Sequence, residues 1–248
     1  MLIRLISIVL LLTLTACGGS QAVAPVGSYK AKSTQKPPSS YAVKSGDTLY
    51  SISWRYGMDY KTVASINNIR APYTIYVGQK LRFKGSSKVA SKPTTRTKTY
   101  TSKKATTTTK KTATKKSNTV YSANRTLKWQ WPVYGKIIST YSESAAGRKG
   151  IDIAGKSGQS IKAAAAGKVV YSGNGLARYG NLIIIKHNDA YLSAYAHNKA
   201  LLVKEGNNVK VGQKIATLGR TGTQRDQLHF EIRRNGKPVD PMRFLPKR

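Results

Sequence analysis

Three short stretches decide the fold of the C-terminal half of the chain: Gly150-Ile151-Asp152-Ile153, Tyr195-Ala196-His197 and Leu228-His229-Phe230-Glu231. In each one, polar residues alternate with apolar ones, which is typical of a strand that has one buried face. Other short apolar runs nearby are separated by Gly, Asn and Asp, and no long helical period occurs. Residues 127–248 are therefore predicted to form a mainly antiparallel β domain.

The order of these Asp and His residues resembles that of the lysostaphin/LytM family of zinc peptidoglycan endopeptidases, over essentially all of this domain. The resemblance implies that family's fold, a β domain of the duplicated hybrid motif type. In the family, two histidines and an aspartate hold the metal, and two further histidines act on the attacking water. Asp152, His197 and His229 match this pattern, whereas Arg148 and Gln227 stand where the family has histidines.

The two replacements remove the expected chemistry. A catalytic zinc needs three protein ligands, and the guanidinium of Arg148 has no lone pair to offer. Gln227 exchanges no proton near neutral pH, so an acid–base partner is lost as well. Arg148 is expected to neutralise Asp152 instead, and His187, at a strand end, is not expected to bind metal. We therefore expect no catalytic residue, no metal and no cofactor.

The groove of such a domain would remain as a binding site for a peptide or a partner segment. Clefts with apolar walls and a few converging polar groups are general ligand sites. The expected groove residues are Arg148, Lys149, Asp152, Tyr195, His197, Gln227 and His229.

Residues 1–17 have a basic start, a short apolar run and small residues before a cysteine, as a secretory signal does. The apolar run is shorter than the roughly 20 residues needed to span a bilayer. Cys17 stands where a bacterial lipoprotein signal places its acylated residue, and Gly18 after it resembles outer-membrane sorting in enterobacteria. We expect a lipid-anchored protein of the outer membrane that faces the periplasm.

The chain is strongly basic, with 43 Lys and Arg against 9 Asp and Glu and a formal net charge of +34. Such a balance is common in nucleic-acid-binding proteins, but an exported lipoprotein does not meet nucleic acid, so this partner is excluded. Residues 18–40 and 84–126 contain no acidic residue and few apolar ones. They are predicted to be a flexible spacer and a disordered basic linker, which is suited to contact anionic wall polymer.

Residues 41–83 change character and predict a small β-α-α-β domain. A first strand at Tyr41–Val43 leads into a turn and two helical spacings, and Ile75–Val77 leads into the last strand. The strings Val43–Leu49 and Val77–Leu81 resemble a LysM repeat, whose family binds glycans that contain N-acetylglucosamine. The resemblance implies a peptidoglycan-binding groove between two loops. Its residues would be Gly46, Asp47, Thr48 and Leu49 on one side, and Pro72, Tyr73, Thr74 and Ile75 on the other.

The closing strings Leu228–Arg233 and Pro238–Pro246 look most like NlpD-type lipoproteins, which share the order of lipid anchor, LysM domain, linker and LytM domain. That family activates periplasmic N-acetylmuramoyl-L-alanine amidases, because its degenerate groove binds the amidase's regulatory element and frees the zinc site. The resemblance implies a non-enzymatic activator that aids septal peptidoglycan splitting and daughter-cell separation. Two alternatives stay open: an active zinc endopeptidase, and a passive tether between outer membrane and peptidoglycan.

The lipoprotein assignment predicts that Cys17→Ser abolishes membrane attachment, because the thiol that carries the lipid is lost. Fractionation should then recover the chain as an unprocessed or soluble periplasmic form, whereas the parent chain stays with the outer membrane. Membrane attachment that is unchanged in Cys17→Ser would contradict the assignment.

Overall fold

The structure is a computed structural model, which describes residues 36–85, 127–144 and 148–248. The signal at 1–17 with Cys17, most of the spacer at 18–40 and nearly all of the linker at 84–126 lie outside these residues. Within the described part of the chain, no helix is long and apolar enough to cross a membrane.

The smaller domain has the β-α-α-β order that was predicted. Strand β1 (Ser40–Ala42) pairs antiparallel with β2 (Lys80–Arg82), and the helices α1 (Leu49–Arg55) and α2 (Tyr60–Ile66) lie between them in the chain. The last strand begins later than the sequence pattern indicated. Ile75–Val77 runs into a turn in which the amide of Gln79 donates to the carbonyl of Tyr76, and so this stretch pairs with no strand.

Side-chain caps start both helices of the smaller domain. The hydroxyl of Thr48 accepts from the amide of Ser51 at 3.0 Å, and the hydroxyl of Ser51 accepts from the amide of Thr48 at 3.0 Å. Asp59 caps α2 by accepting from the amide of Lys61 at 3.0 Å. These bonds satisfy amides that lack a partner within the helix. The helices enclose a small core of Val43, Leu49, Ile52, Val63, Ala64, Leu81 and Phe83.

The larger domain is one antiparallel sheet, with ten strands among the described residues. The strands are β3 (Ile137–Ser139), β4 (Ile151–Ala154), β5 (Ser160–Lys162), β6 (Gly167–Gly173), β7 (Asn181–Lys186), β8 (Tyr191–Leu201), β9 (Asn208–Val209), β10 (Lys214–Leu218), β11 (Gln227–Arg234) and β12 (Lys237–Val239). Their main order is β3-β4-β11-β8-β7-β6-β9, with β10 between β8 and β5, and with β12 on β11. A 3-10 helix (Pro241–Arg243) closes the chain. The predicted fold class is confirmed for both domains.

The two folded domains pack against each other across one face of this sheet. Trp54 and Tyr60 of the smaller domain are each only 3% exposed. They share one apolar cluster with residues of the larger domain, namely Val170, Tyr171, Leu176, Leu182, Ile184, Leu192, Ala194 and Ala196. The opposite face of the sheet holds the main core, which includes Ile151, Ile153, Tyr195, Leu228 and Phe230.

Gly150 lets β4 approach β11 closely. A Cβ atom at this position would lie 2.1 Å from the carbonyl oxygen of Phe230 and 2.9 Å from the side chain of Glu231. Both neighbours belong to β11, where a packed interior cannot move aside without strain. The glycine therefore fixes the distance between the two strands that carry Asp152 and His229.

Gly150→Ala should destabilise the fold by more than about 2 kcal/mol, because the methyl group overlaps a backbone carbonyl. Urea unfolding followed by circular dichroism measures this loss. The control is Gly173→Ala, whose added Cβ would meet only the ring and hydroxyl of Tyr171, at 3.2 Å or more. Equal stability of the two variants would contradict the close-approach argument.

Candidate functional site

The candidate site lies on the groove face of the strand pair β4–β11. Alternation along β11 puts four polar residues on this face, Gln227, His229, Glu231 and Arg233, while the apolar residues between them enter the main core. The strand register places His229 directly opposite Asp152. Two of the predicted groove residues are thereby brought together by sheet pairing alone.

A chain of hydrogen bonds runs along this face. His229 Nδ1 lies 2.6 Å from Asp152 Oδ1, and His229 Nε2 lies 3.2 Å from Glu231 Oε1. Arg233 Nε donates to Glu231 Oε2 at 2.9 Å, and the hydroxyl of Tyr179 donates to Glu231 Oε1 at 2.7 Å. The side chain of Glu231 has 0% exposure, so its charge depends entirely on these donors.

These hydrogen bonds fix the charge states of His229 and Glu231. Burial alone would lower the pKa of His229, but its hydrogen bonds to Asp152 and Glu231 raise this pKa to about 9. Burial alone would raise the pKa of Glu231, but the charge of Arg233 and the contact with His229 lower it to about 2. At neutral pH His229 is therefore an imidazolium between two carboxylates, and both of its ring nitrogens donate.

His197 reaches the same face because β8 contains a bulge. In the pairing of β8 with β7, Asn198 lies opposite Asn181 and Tyr195 lies opposite Ile183, so β8 holds one extra residue. His197 has a φ of +65°, and its Nδ1 lies 2.8 Å from the carbonyl oxygen of Thr221. Burial lowers the pKa of His197, so the ring is neutral and donates to this carbonyl. The rings of His197 and His229 lie 6.0 Å apart.

The prediction that Tyr195 lies in the groove is wrong. Its side chain is fully buried in the main core, and its hydroxyl accepts from the amide of Ala164 at 2.8 Å. Residues two apart normally share a face of a strand, so a regular strand would put Tyr195 and His197 on the same side. The bulge reverses that relation, so only His197 faces the groove.

The structure also changes the expected partner of Asp152. This carboxylate is paired with His229, whereas Arg148 is exposed and makes no ion pair with Asp152 among the described residues. Lys149, the next residue, does line the groove. Of the two expected groove residues Arg148 and Lys149, only Lys149 lines the cavity.

The groove encloses a cavity of about 360 Å³ at the end of the sheet. Its walls come from both domains. The lining residues are Trp54 and Arg55 of the smaller domain, and Lys149, Asp152, Leu176, Ala177, Arg178, Tyr179, His197, Gln227, His229, Glu231 and Arg233 of the larger domain. Among the described residues, Lys149 and Arg178 have no ion-pair partner, so they present unpaired positive charge to the cavity.

The donor set does not fit the zinc ion that the lysostaphin/LytM resemblance implies. Arg148, whose guanidinium has no lone pair, stands at one ligand position, so only Asp152 and His229 remain of the three ligands that a catalytic zinc needs. Nowhere in residues 36–85, 127–144 and 148–248 do three or more His, Cys, Asp or Glu side chains form a group that could hold a metal ion. We derive no hydrolytic step through a metal at this groove.

His187 is packed inside the larger domain. Its Nδ1 lies 2.8 Å from the carbonyl of Ala166, and its Nε2 lies 2.7 Å from the hydroxyl of Ser193. Burial lowers the pKa of His187 to about 4, so the ring is neutral at physiological pH. The ring is fixed by these two contacts and does not line the groove cavity.

The residues of the smaller domain that are expected to bind glycan differ in their exposure. Pro72 and Thr74 are exposed, and Tyr73 and Ile75 are half-buried. Gly46 has a φ of +80° and forms the turn before α1. Leu49 is 1% exposed, so it cannot contact a sugar, because the first residue of α1 packs into the domain core.

Asp47 and Thr48 also serve the fold of the smaller domain. The carboxylate of Asp47 accepts from the hydroxyl of Tyr41 at 2.7 Å and from the amide of Lys44 at 2.9 Å. It also pairs with Arg55 at 3.3 Å. The hydroxyl of Thr48 is the helix cap described above. The glycan-binding role of this loop stays a prediction.

The sequence interpretation did not include four residues that shape the groove, Trp54, Tyr179, Glu231 and Arg233. The period-two series Gln227, His229, Glu231 and Arg233 was a signal for the last two, since all four must share a face of one strand. No local pattern indicated Trp54, which reaches the groove only because the domains pack together.

Comparison with known families agrees with this two-domain architecture. Residues 41–84 match the LysM domain family, and residues 146–241 match Peptidase family M23. The family matches thus fall on the two folded domains described above.

Three curated relatives match over most of their length. The chain is 49% identical to "Lipoprotein NlpD/LppB homolog" of Pseudomonas aeruginosa, over 93% of this chain and 86% of the relative. It is 44% identical to "Murein hydrolase activator NlpD" of Escherichia coli (strain K12), over 90% of this chain and 70% of the relative. It is 45% identical to "Uncharacterized lipoprotein YgeR" of the same organism, over 99% of this chain and 92% of the relative.

The raised pKa of His229 predicts a loss of stability at alkaline pH. Because its folded-state pKa of about 9 exceeds the unfolded value of about 6.5, the protonated ring stabilises the fold fully below about pH 6.5. The contribution is lost as the pH rises through 9. Urea unfolding should show a decrease on the order of 2 kcal/mol between pH 7 and pH 9.5.

His229→Gln should flatten this decrease, because Gln carries no titrating proton. His187 and His197 have lowered pKa values and so contribute no decline in the same pH range. Equal pH dependence of the parent chain and His229→Gln between pH 7 and pH 9.5 would contradict the proposed charge state.

Proposed function

Because the chain belongs to the NlpD family of lipoproteins with LysM and M23 domains, we propose that it is a non-catalytic activator of a cell-wall N-acetylmuramoyl-L-alanine amidase. In this role the LysM domain binds peptidoglycan and the groove of the M23 domain binds a regulatory segment of the amidase. The activity would serve the splitting of septal peptidoglycan and the separation of daughter cells.

The observation that carries the non-catalytic assignment is the residue at position 148. A catalytic zinc needs three protein ligands, and Arg148, whose guanidinium has no lone pair, stands where the family has a ligand histidine. His197 keeps one accepting nitrogen, but Gln227 beside it transfers no proton. The groove therefore has hydrogen-bonding groups and charge, which suit binding, without an acid–base pair.

The unpaired charges of the cavity indicate the chemistry of its ligand. Lys149 and Arg178 line it without ion-pair partners among the described residues, while Asp152 and Glu231 are already neutralised by His229 and Arg233. A segment with Asp or Glu side chains would pair with the free cations. A regulatory segment that covers a zinc site would itself present acidic ligands, so it fits this groove.

Activation of this kind needs no chemistry by the activator. An amidase whose zinc site is covered by its own segment is released by any protein that binds the exposed segment, because binding shifts the population of the open form.

The relatives are named lipoproteins, which supports a lipid anchor at Cys17. Anchoring in the outer membrane, with both domains in the periplasm, would bring the groove to an amidase that acts on peptidoglycan.

Two other functions fit the architecture less well. A zinc endopeptidase would require ligands that the groove lacks, and it would copurify with about one zinc per chain. A passive tether between outer membrane and peptidoglycan would use the LysM domain alone. It would keep its function when the M23 domain is removed, whereas an activator would lose it.

Charge reversal in the groove should test the activator proposal. Lys149→Glu combined with Arg178→Glu should weaken binding of an acidic segment by about 1–2 kcal/mol, which lowers amidase activation roughly tenfold at subsaturating concentration. Dye release from labelled sacculi by candidate amidases, with and without the chain, measures this effect.

The matched control is Lys162→Glu, a charge reversal at an exposed lysine of β5 outside the groove. It should leave activation unchanged. Each protein is also assayed alone, and dye release by the chain without an amidase, together with stoichiometric zinc, would instead support the endopeptidase. Equal activation by the groove and control variants would remove the groove from the proposal.

A further inference from the structure

Arg233 of the M23 domain and Trp54 of the LysM domain make a specific contact between the two domains. The guanidinium of Arg233 lies 3.5 Å above the indole of Trp54, and its Nη1 donates to the carbonyl of Trp54 at 2.8 Å. This carbonyl is near the C-terminal end of α1, where a cation is electrostatically favourable. At the side of the contact, Arg55 donates to the carbonyl of Gly175 at 3.3 Å.

A glycine marks the closest approach of the two domains. Gly236, in the turn between β11 and β12, has a φ of +78°, and a Cβ there would lie 2.5 Å from the backbone at Met58 and Asp59. The two backbones therefore touch with no room for a side chain. An approach this close requires that the two domain surfaces pack against each other, and a linker between the domains would not by itself produce it.

Other features of the contact between the two domains indicate that it can open. The hydroxyl of Tyr60 is buried in this contact without a hydrogen-bond partner among the described residues. Because docking removes this hydroxyl from water and gives it no new partner, it disfavours the docked state. The peripheral ion pair of Lys61 with Asp189 spans 3.8 Å between exposed side chains, and such pairs contribute little. In the sequence, the two domains are separated by residues 84–126.

The docked LysM domain also limits the groove. Trp54 and Arg55 form one end of a cavity of about 360 Å³, a size near the lower bound for small-ligand pockets. Segments that bind in grooves as helices or strands are anchored by several side chains along their length. A cavity of this size admits one or two of them, and Trp54 and Arg55 of the docked LysM domain bound it.

We propose that the LysM domain is an intramolecular latch on the M23 groove. Docked, it closes one end of the groove through Trp54 and Arg233. A partner segment longer than a few residues binds fully only after the LysM domain has moved away. This inference rests on the proposed function, since it concerns access of the regulatory segment to the same groove.

The first test separates the domains with one substitution. Gly236→Asn keeps a residue that tolerates positive φ in the turn, but its side chain collides with the backbone of Met58. The matched control is Gly206→Asn, because Gly206 has a φ of +85° and no neighbouring atom within 4 Å. We expect Gly236→Asn to raise amidase activation roughly threefold or more, and Gly206→Asn to leave it unchanged.

The second test closes the latch. In the mature chain with Cys17→Ser, the pair Lys61→Cys and Asp189→Cys puts thiols on the two facing surfaces. A short, cleavable thiol-to-thiol cross-linker should join them in high yield, and Gly236→Asn should lower this yield while Gly206→Asn does not. The cross-linked chain should lose most of its amidase activation, and cleavage of the cross-linker should restore it.

The outcomes separate the latch from the function on which it rests. If the chain activates an amidase but the cross-link leaves activation unchanged, or if Gly236→Asn lowers activation, the latch is wrong and the activator stands. A cross-link yield that Gly236→Asn does not change would also overturn the latch. If no form of the chain activates any amidase, the proposed function fails and the latch fails with it.

Discussion

The buried carboxylate of Glu231 is the constraint on which both the groove and the domain contact depend. A fully buried charge is costly unless it is paired, and Glu231 meets this condition with three donors, from Tyr179, His229 and Arg233. Holding His229 in its protonated form uses up the ring's lone pairs. Holding Arg233 by its Nε leaves Nη1 to donate to the carbonyl of Trp54, while Nη2 donates to the hydroxyl of Tyr179. One acidic side chain thus sets the chemistry of the groove and anchors the neighbouring domain.

Under the proposed non-catalytic function, the M23 domain would keep its groove without the reaction of its family. The sheet still places Asp152 opposite His229, as the strand register requires. With Arg148 outside the groove and Gln227 within it, the positions no longer converge on a metal, and the aspartate and histidine satisfy each other instead. Among the described residues, Lys149 and Arg178 line the same cavity without an ion-pair partner, and cations of this kind suit recognition of an acidic ligand.

Much of the fold followed from the sequence because its patterns are local. Alternation of apolar and polar residues predicted the sheet, and it also put Asp152 and His229 on strands of one domain. The pattern failed at Tyr195, because a single extra residue in β8 turns this side chain to the core while His197 faces the groove. A bulge of this kind depends on pairing with a neighbouring strand, which periodicity along one strand does not record. Trp54 was missed for a similar reason, since its place in the groove depends on contacts between domains.

Arg233 connects the groove of the M23 domain with the LysM domain. Its Nε neutralises Glu231 in the groove, while its Nη1 and its face hold the carbonyl and indole of Trp54. If the LysM domain leaves, Arg233 loses an acceptor and a stacking partner and gains water, which weakens its hold on Glu231 through competition and a higher local dielectric. Glu231 then depends more on His229 and Tyr179, so the hydrogen bonds at the wall of the groove would change with the position of the LysM domain. By linkage, a ligand that prefers one arrangement of these hydrogen bonds must also favour one position of that domain.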